Sequence, residues 1–237
     1  MKWILHKAAT RGHVQQGWLQ SYHSFSFGGY YNPERMNFGV LRVLNDDTVA
    51  AGMGFGTHPH RDMEIISIPL VGNLEHKDSM GNTAVIRSGD IQVLSAGTGI
   101  SHSEYNKSNE IPVKFLQIWV LPNKMGVTPR YDQLSLKVSD RYNQFQQILA
   151  PNPKDEGVWI YQNAWFHQSH LESGKELTYT LKRKKENGVY VFIIEGSVEL
   201  NGQKLTKRDG LGVWDIEYLN IKGILKSELL LMEIPMK

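Results

Sequence analysis

Gly52-Met53-Gly54-Phe55-Gly56-Thr57-His58-Pro59-His60-Arg61-Asp62-Met63-Glu64 is the stretch that decides how this chain is read. Residues two apart on a strand point to the same face, so an extended His58-Pro59-His60 aims two imidazoles at one point. Pro59 supports the extended conformation at His58 and suits a strand start or an edge. Further along, His102-Ser103-Glu104 repeats the spacing with a third imidazole and a carboxylate. Paired across a barrel, the two dyads would offer three nitrogens and one oxygen. Such a set suits divalent iron, manganese, cobalt, nickel, copper or zinc, and leaves one or two coordination positions open for substrate or dioxygen. One His-x-His alone is usually a surface feature; two such dyads make the metal reading the better one.

Composition narrows the donors further. The 237 residues include no Cys, which rules out disulfides, thiolate zinc sites, cysteine-ligated iron-sulfur clusters and a cysteine nucleophile. Any metal must be held by nitrogen and oxygen. A formal charge of +2, from 26 Lys plus Arg against 24 Asp plus Glu, is too small for a polyanion-binding surface, so no nucleic acid is expected as a partner. The longest apolar run, Val189 to Ile194, is far short of the roughly 18 residues of a membrane span. Trp3-Ile4-Leu5 is ended by His6 and Lys7, well before the roughly 7 to 15 apolar residues of a signal-peptide core. A soluble, cytoplasmic protein with no membrane partner is expected.

Around the dyads, short runs of Val, Ile, Leu and aromatics alternate with Gly, Asn, Asp and Ser, the punctuation of antiparallel sheets. Strands are expected at Phe38 to Leu44, closed by an Asn45-Asp46-Asp47 turn, then at Glu64 to Val71, Leu74 to Lys77, Ile91 to Leu94 and Val113 to Leu121. After Pro122 the pattern breaks up, so residues 123–157 read as a linker between domains at 1–122 and 158–237. Strands resume at Val158 to Gln162, Thr178 to Leu181, Val189 to Ile194, Val198 to Leu200, Leu211 to Trp214 and Glu228 to Ile234. Asn201-Gly202 is a hairpin signal, because the pair supplies both positive-φ residues of a type I′ turn. Val71-Gly72-Asn73-Leu74-Glu75 lines up with Glu195-Gly196-Ser197-Val198-Glu199, which points to a duplicated β-domain.

The spacing around the dyads is itself informative. Gly52 stands six residues before His58, Glu64 four after His60, and Gly72 eight further on; Gly97 follows Gly89 by eight, His102 by five more, and Asn106 by four. This pattern resembles the two motifs of the cupin superfamily. It departs from them by one added residue before Gly72, by Ser95 where a Pro is usual, and by a longer spacer before His102. Those departures, with Leu74-Glu75-His76-Lys77-Asp78-Ser79-Met80-Gly81-Asn82, Ser95-Ala96-Gly97-Thr98-Gly99-Ile100-Ser101-His102 and His23-Ser24-Phe25-Ser26-Phe27, resemble the pirin family. The likeness is greatest to its shorter bacterial quercetinases, and it extends over nearly the whole chain.

The resemblance implies an all-β bicupin, two antiparallel barrels with few short helices and a metal in the first barrel alone. It implies His58, His60, His102 and Glu104 as ligands of one divalent ion, Fe(II) by preference, with Mn, Co, Ni, Cu or Zn as alternatives. Glu64 is the carboxylate in most metal cupins and shares strand parity with His58 and His60; the pirin likeness favours Glu104 and leaves Glu64 as a buried residue or one that orients a ligand. The activity implied is cleavage of quercetin or a similar flavonol by dioxygen, giving a depside and carbon monoxide, with Glu104 as general base and Phe25 against the substrate. Phe27, Met53, Phe55, Phe115 and Trp119 are further pocket candidates that barrel packing explains equally well. His23 and His76 are either donors behind the ligands or surface residues. His167 and His170, three apart, read as surface or interface residues rather than a second site. The alternative is a regulatory, metal-dependent binding protein, with Lys182-Arg183-Lys184-Lys185 either its docking signal or a solvated turn. A sugar-phosphate isomerase ranks third, since only Arg61 and Lys77 are basic near the dyads. A monomer is expected.

Overall fold

A computed structural model describes all of residues 1–237. Its regular structure is strand throughout, apart from two 3₁₀ turns at Ala8–Thr10 and Val138–Arg141. No helix is long and apolar enough to cross a membrane. The strands form two barrels, each from one seven-stranded and one four-stranded sheet. In the first barrel the larger sheet runs Arg130–Ser135, Asp90–Ser95, Glu64–Val71, Val113–Val120, Leu41–Val49, Leu19–His23, Gly12–Gln15, and the smaller runs Gly54–His60, Ile100–Asn106, Asn73–Asp78, Thr83–Arg87. The second barrel repeats the plan, with Glu176–Thr180, Tyr218–Gly223, Ser197–Leu200 and Gln203–Thr206 as its smaller sheet.

The sequence repeat marks the same event in both barrels. Gly72, at φ +77°, is where the chain leaves the larger sheet after Val71 and enters the smaller one; Gly196, at φ +88°, does so after Glu195. A side chain at Gly196 would in addition meet the Lys226 carbonyl at 2.3 Å. The Asn201-Gly202 hairpin has the two positive φ values its type requires, +48° and +80°.

The barrels meet through their larger sheets. The main core, 24 buried residues, draws Phe25, Leu44, Ile66 and Leu116 from one half and Phe166, Tyr190, Phe192 and Leu230 from the other, so it lies between the barrels. Inside the second barrel sits an unbroken apolar cluster of 15 residues. Inside the first there are only two small clusters, of six and four. The space they leave is lined by buried polar groups.

Two expectations, the turn at 45–47 and the division of the chain into 1–122, 123–157 and 158–237, do not hold. Asn45-Asp46-Asp47 is no turn: Leu41–Val49 runs straight through it, with Asn45 and Asp47 buried. Polar residues that mark turns at a surface also line a polar barrel interior, and composition cannot tell the two apart. Residues 123–157 are woven into both barrels, since Arg130–Ser135 pairs with Asp90–Ser95 and Gln146–Ala150 with Trp165–Leu171. Lys2–His6, at the start of the chain, pairs with Gly210–Trp214 in the second barrel, covering a sheet edge that would otherwise expose unpaired backbone groups.

Candidate metal centre

Gly54–His60 and Ile100–Asn106 are antiparallel neighbours, with His102 opposite His58 and Ile100 opposite His60. The register places the two dyads on one patch of the barrel wall. His58, His60 and His102 bring one ligand nitrogen each to within 4.8 Å of one another. Their ring centroids are 4.5 to 4.9 Å apart. His58 Nδ1 lies 2.8 Å from the Gly56 carbonyl, which leaves Nε2 as its free donor. His102 Nε2 is buried without a hydrogen-bond partner. Burial, and then the neighbouring His102 and His58 rings, push His60 down to about 4. Burial and the rings of His58 and His76 push His102 to about 3. Both rings are therefore neutral, with lone pairs available, at physiological pH. Three converging imidazoles, one of them with an orphaned buried Nε2, fit a divalent transition-metal ion.

Glu104 stands apart from that group. A β-bulge between His102 and Glu104 shifts the register so that Glu104 faces Phe55, and re-aims its side chain. Ser67 Oγ donates to its Oε1 at 3.1 Å and Gln117 Nε2 to its Oε2 at 2.8 Å. It remains in the buried interior of the same barrel.

Glu64 does not orient a ligand. Asp62, at φ +46°, breaks the chain between Gly54–His60 and Glu64–Val71, so the parity shared by residues 58, 60 and 64 does not carry across. On its own strand Glu64 alternates with Ile65 and Ser67, which face the barrel interior and Glu104, and so lies on the side of Ile66 and Ile68 between the barrels. There Ser95 Oγ donates to Glu64 Oε2 at 2.7 Å. Burial pushes the carboxyl up to about 7, against the Ser95 hydrogen bond and the nearby Arg130.

Phe25 is likewise misplaced as a substrate contact. It is fully buried between the barrels, 5.7 Å from the His6 ring and 5.5 Å from Tyr190. Residues 24–26 lie outside any strand, and two residues on from Phe25 the Phe27 ring meets Trp119 at 5.2 Å, while Trp119 in turn meets His60 edge-on at 4.9 Å. Phe115 belongs to a small core cluster, against which Phe55 packs, and Met53 is largely exposed.

Sequence reasoning missed Asp47, Ser67 and Gln117. Asp47 is fully buried and accepts from Ser21 Oγ, which lies 2.7 Å from His23 Nε2. Burial pushes Asp47 up to about 7, with Ser21 opposing and Asp46 and Glu104 adding. Nothing in a single sequence marks a Ser, Gln or Asp as facing a barrel axis. His23 and His76 are both buried, not surface residues.

His167 and His170 lie on one strand, Trp165–Leu171, and point to opposite sides of it. His167 is buried between Phe145 and Tyr179, and His170 Nε2 is 3.4 Å from Glu228. The basic run 182–185 forms a turn in which Arg183 pairs with Glu186 and Lys184 with Glu217, both at 2.8 Å. A cleft of ≈ 960 Å³ lies between the barrels near Lys2, Trp214 and Met236 and brings no metal-ligating cluster together. The depression beside the three histidines, ≈ 400 Å³, is lined by His60, Arg61, Ser79 and Ile100 among others.

Residues 6–120 match the Pirin family model, and residues 147–234 match that of the quercetinase C-terminal cupin domain. The chain is 41% identical, over 98% of its own length and 98% of the other's, to a quercetin 2,3-dioxygenase from Escherichia coli (strain K12). The chain belongs to the pirin family. This pirin is also 38% identical to a pirin-like protein from Caulobacter vibrioides, over 94% of this chain and 95% of that one. Its fold superposes on the crystal structure of the bacterial pirin YhhW from Escherichia coli in complex with nickel(II), with TM-score 0.93, 40% identity and 99% of each chain covered. The bicupin plan is thus the pirin plan, and the three-histidine cluster of this pirin is one that could hold a metal ion.

Proposed function

We propose that this pirin is a metal-dependent dioxygenase that opens quercetin or a similar flavonol or enol with dioxygen, releasing a depside and carbon monoxide. The observation that carries the proposal is the three-imidazole cluster with its orphaned His102 Nε2, in a chain 41% identical to a quercetin 2,3-dioxygenase over its full length. Fe(II) is the proposed resident ion, held by His58, His60 and His102 and completed by Glu104. When bound, it supplies Lewis acidity that lowers the pKa of the flavonol 3-hydroxyl.

The chain's own residues do the rest. Glu104, braced by Ser67 and Gln117, accepts the 3-hydroxyl proton. Trp119 and Phe27 supply an aromatic wall beside His60 against which a planar ring system stacks. Arg61, exposed at the rim of the depression, offers a positive charge to the flavonolate on its way in. We place the enzyme in the cytoplasm as a monomer.

The test is loss of the flavonol absorbance when iron-, manganese- or nickel-loaded protein meets quercetin under air. Wild type should bleach it and His58→Ala should not, with metal content falling in the variant. Fully metal-loaded wild type that leaves quercetin intact would favour the regulatory reading.

A further inference from the structure

The three donors are held in place by different means. The His58 tautomer is set by a backbone carbonyl, but His102 has none. Its Nδ1 instead faces the Nδ1 of His76 at 3.4 Å, the long end of a hydrogen bond, and His76 Nε2 lies 3.0 Å from Asp78 Oδ2. All three side chains are buried, so no solvent competes for these atoms.

Two Nδ1 atoms in hydrogen-bond contact share one proton. If His76 carries it, His102 must accept at Nδ1 and hold its own proton on Nε2, the atom a metal needs. A carboxylate only accepts, so Asp78 requires the proton of His76 on Nε2, which leaves its Nδ1 bare to accept from His102. We propose that His76 and Asp78 are positioning residues that set the tautomer of His102, keeping its Nε2 free for the metal. Asp78 is itself anchored: the backbone N–H groups of Met80 and Asn82 donate to Oδ1 at 2.9 and 3.1 Å, and Asn82 Nδ2 to Oδ2 at 2.9 Å. Tyr131, 4.9 Å from the His76 ring and 31° from parallel to it, opposes rotation of that ring. The inference rests on the three-histidine metal centre proposed above.

Asp78→Asn places an amide N–H against His76 Nε2. His76 then becomes the Nδ1–H tautomer and His102 the Nε2–H tautomer, the wrong one for a ligand. Nitrogen-15 NMR of the metal-free protein at neutral pH reads both tautomers directly. Wild type should show His102 protonated at Nδ1, and Asp78→Asn should reverse it. Zinc affinity should fall about 10- to 100-fold in Asp78→Asn with the melting curve retained. In a His76→Phe background, or His76→Gln should the first not fold, Asp78→Asn should cost no further affinity, because the connecting ring is gone. An Nε2–H His102 in wild type, unchanged tautomers in Asp78→Asn, or equal affinity losses in both backgrounds would overturn the proposal and reduce Asp78 to a brace for its turn. Wild type without zinc affinity would overturn the metal centre instead, while the tautomers of the metal-free protein still decide the relay.

Discussion

Glu64 and Glu104 are both buried carboxylates of the first barrel's wall, and they face opposite sides of it. Their substitutions should separate accordingly. Glu64 has a folded-state pKa of about 7 against an ordinary 4.5, so folding favours its proton. The stability this lends is fully present below about pH 4.5 and is lost as pH rises through 7. Glu64→Gln, neutral at every pH, should therefore gain on wild type as pH rises from 5 to 8, by up to a few kcal/mol in urea unfolding, and should bind metal normally. Glu104→Gln should abolish flavonol cleavage, since an amide cannot take up the substrate's proton. Normal turnover in Glu104→Gln would remove it as the base. The two dyads were legible from residues alone because strand periodicity converts an i, i+2 spacing into a shared direction. The choice between the two glutamates was not, because one positive-φ residue, Asp62, resets the parity.

At the level of the element, the centre depends on how closely Gly54–His60 packs against Ile100–Asn106. A Cβ at Gly54 would sit 2.3 Å from the Glu104 carbonyl and 2.5 Å from Tyr105 Cα, beside the bulge that re-aims Glu104. Gly54→Ala must push the strands apart. It should cost about 1–3 kcal/mol and lower metal occupancy together, measured by thermal melting and elemental analysis. The strands around the dyads were readable from alternation and turn residues, whereas the interior strand through Asn45 and Asp47 was hidden by residues that usually mark turns. The opposite environment in the second barrel, where 15 apolar residues fill the centre, leaves no room for a ligand set. His167 shows the energetic consequence. Burial pushes it to about 3, so its neutral form stabilises the fold at neutral pH, and that contribution is lost as pH falls from about 6.5 towards 3.

At the scale of the whole molecule, the largest core belongs to neither barrel alone. Phe166→Ala, at that junction, should cost about 3–5 kcal/mol and lower the melting of both halves as one transition. Two separate transitions in calorimetry would show the barrels to be independent. Lys2–His6 adds a second tie, since removing residues 1–6 uncovers the Gly210–Trp214 edge and should make the second barrel prone to association at the exposed strand. Such a chain should elute as aggregate or dimer in gel filtration. The sequence alone determined the all-β duplication, the absence of sulfur ligands and the three imidazoles, because period, composition and spacing are local properties. Only the tertiary structure decided which carboxylate faces the interior of the first barrel, which aromatics stand near His60, and that the first strand and the supposed linker knit the barrels together. Those outcomes depend on register, a bulge and the packing of two sheets, which join residues far apart in the chain and leave no local mark on it.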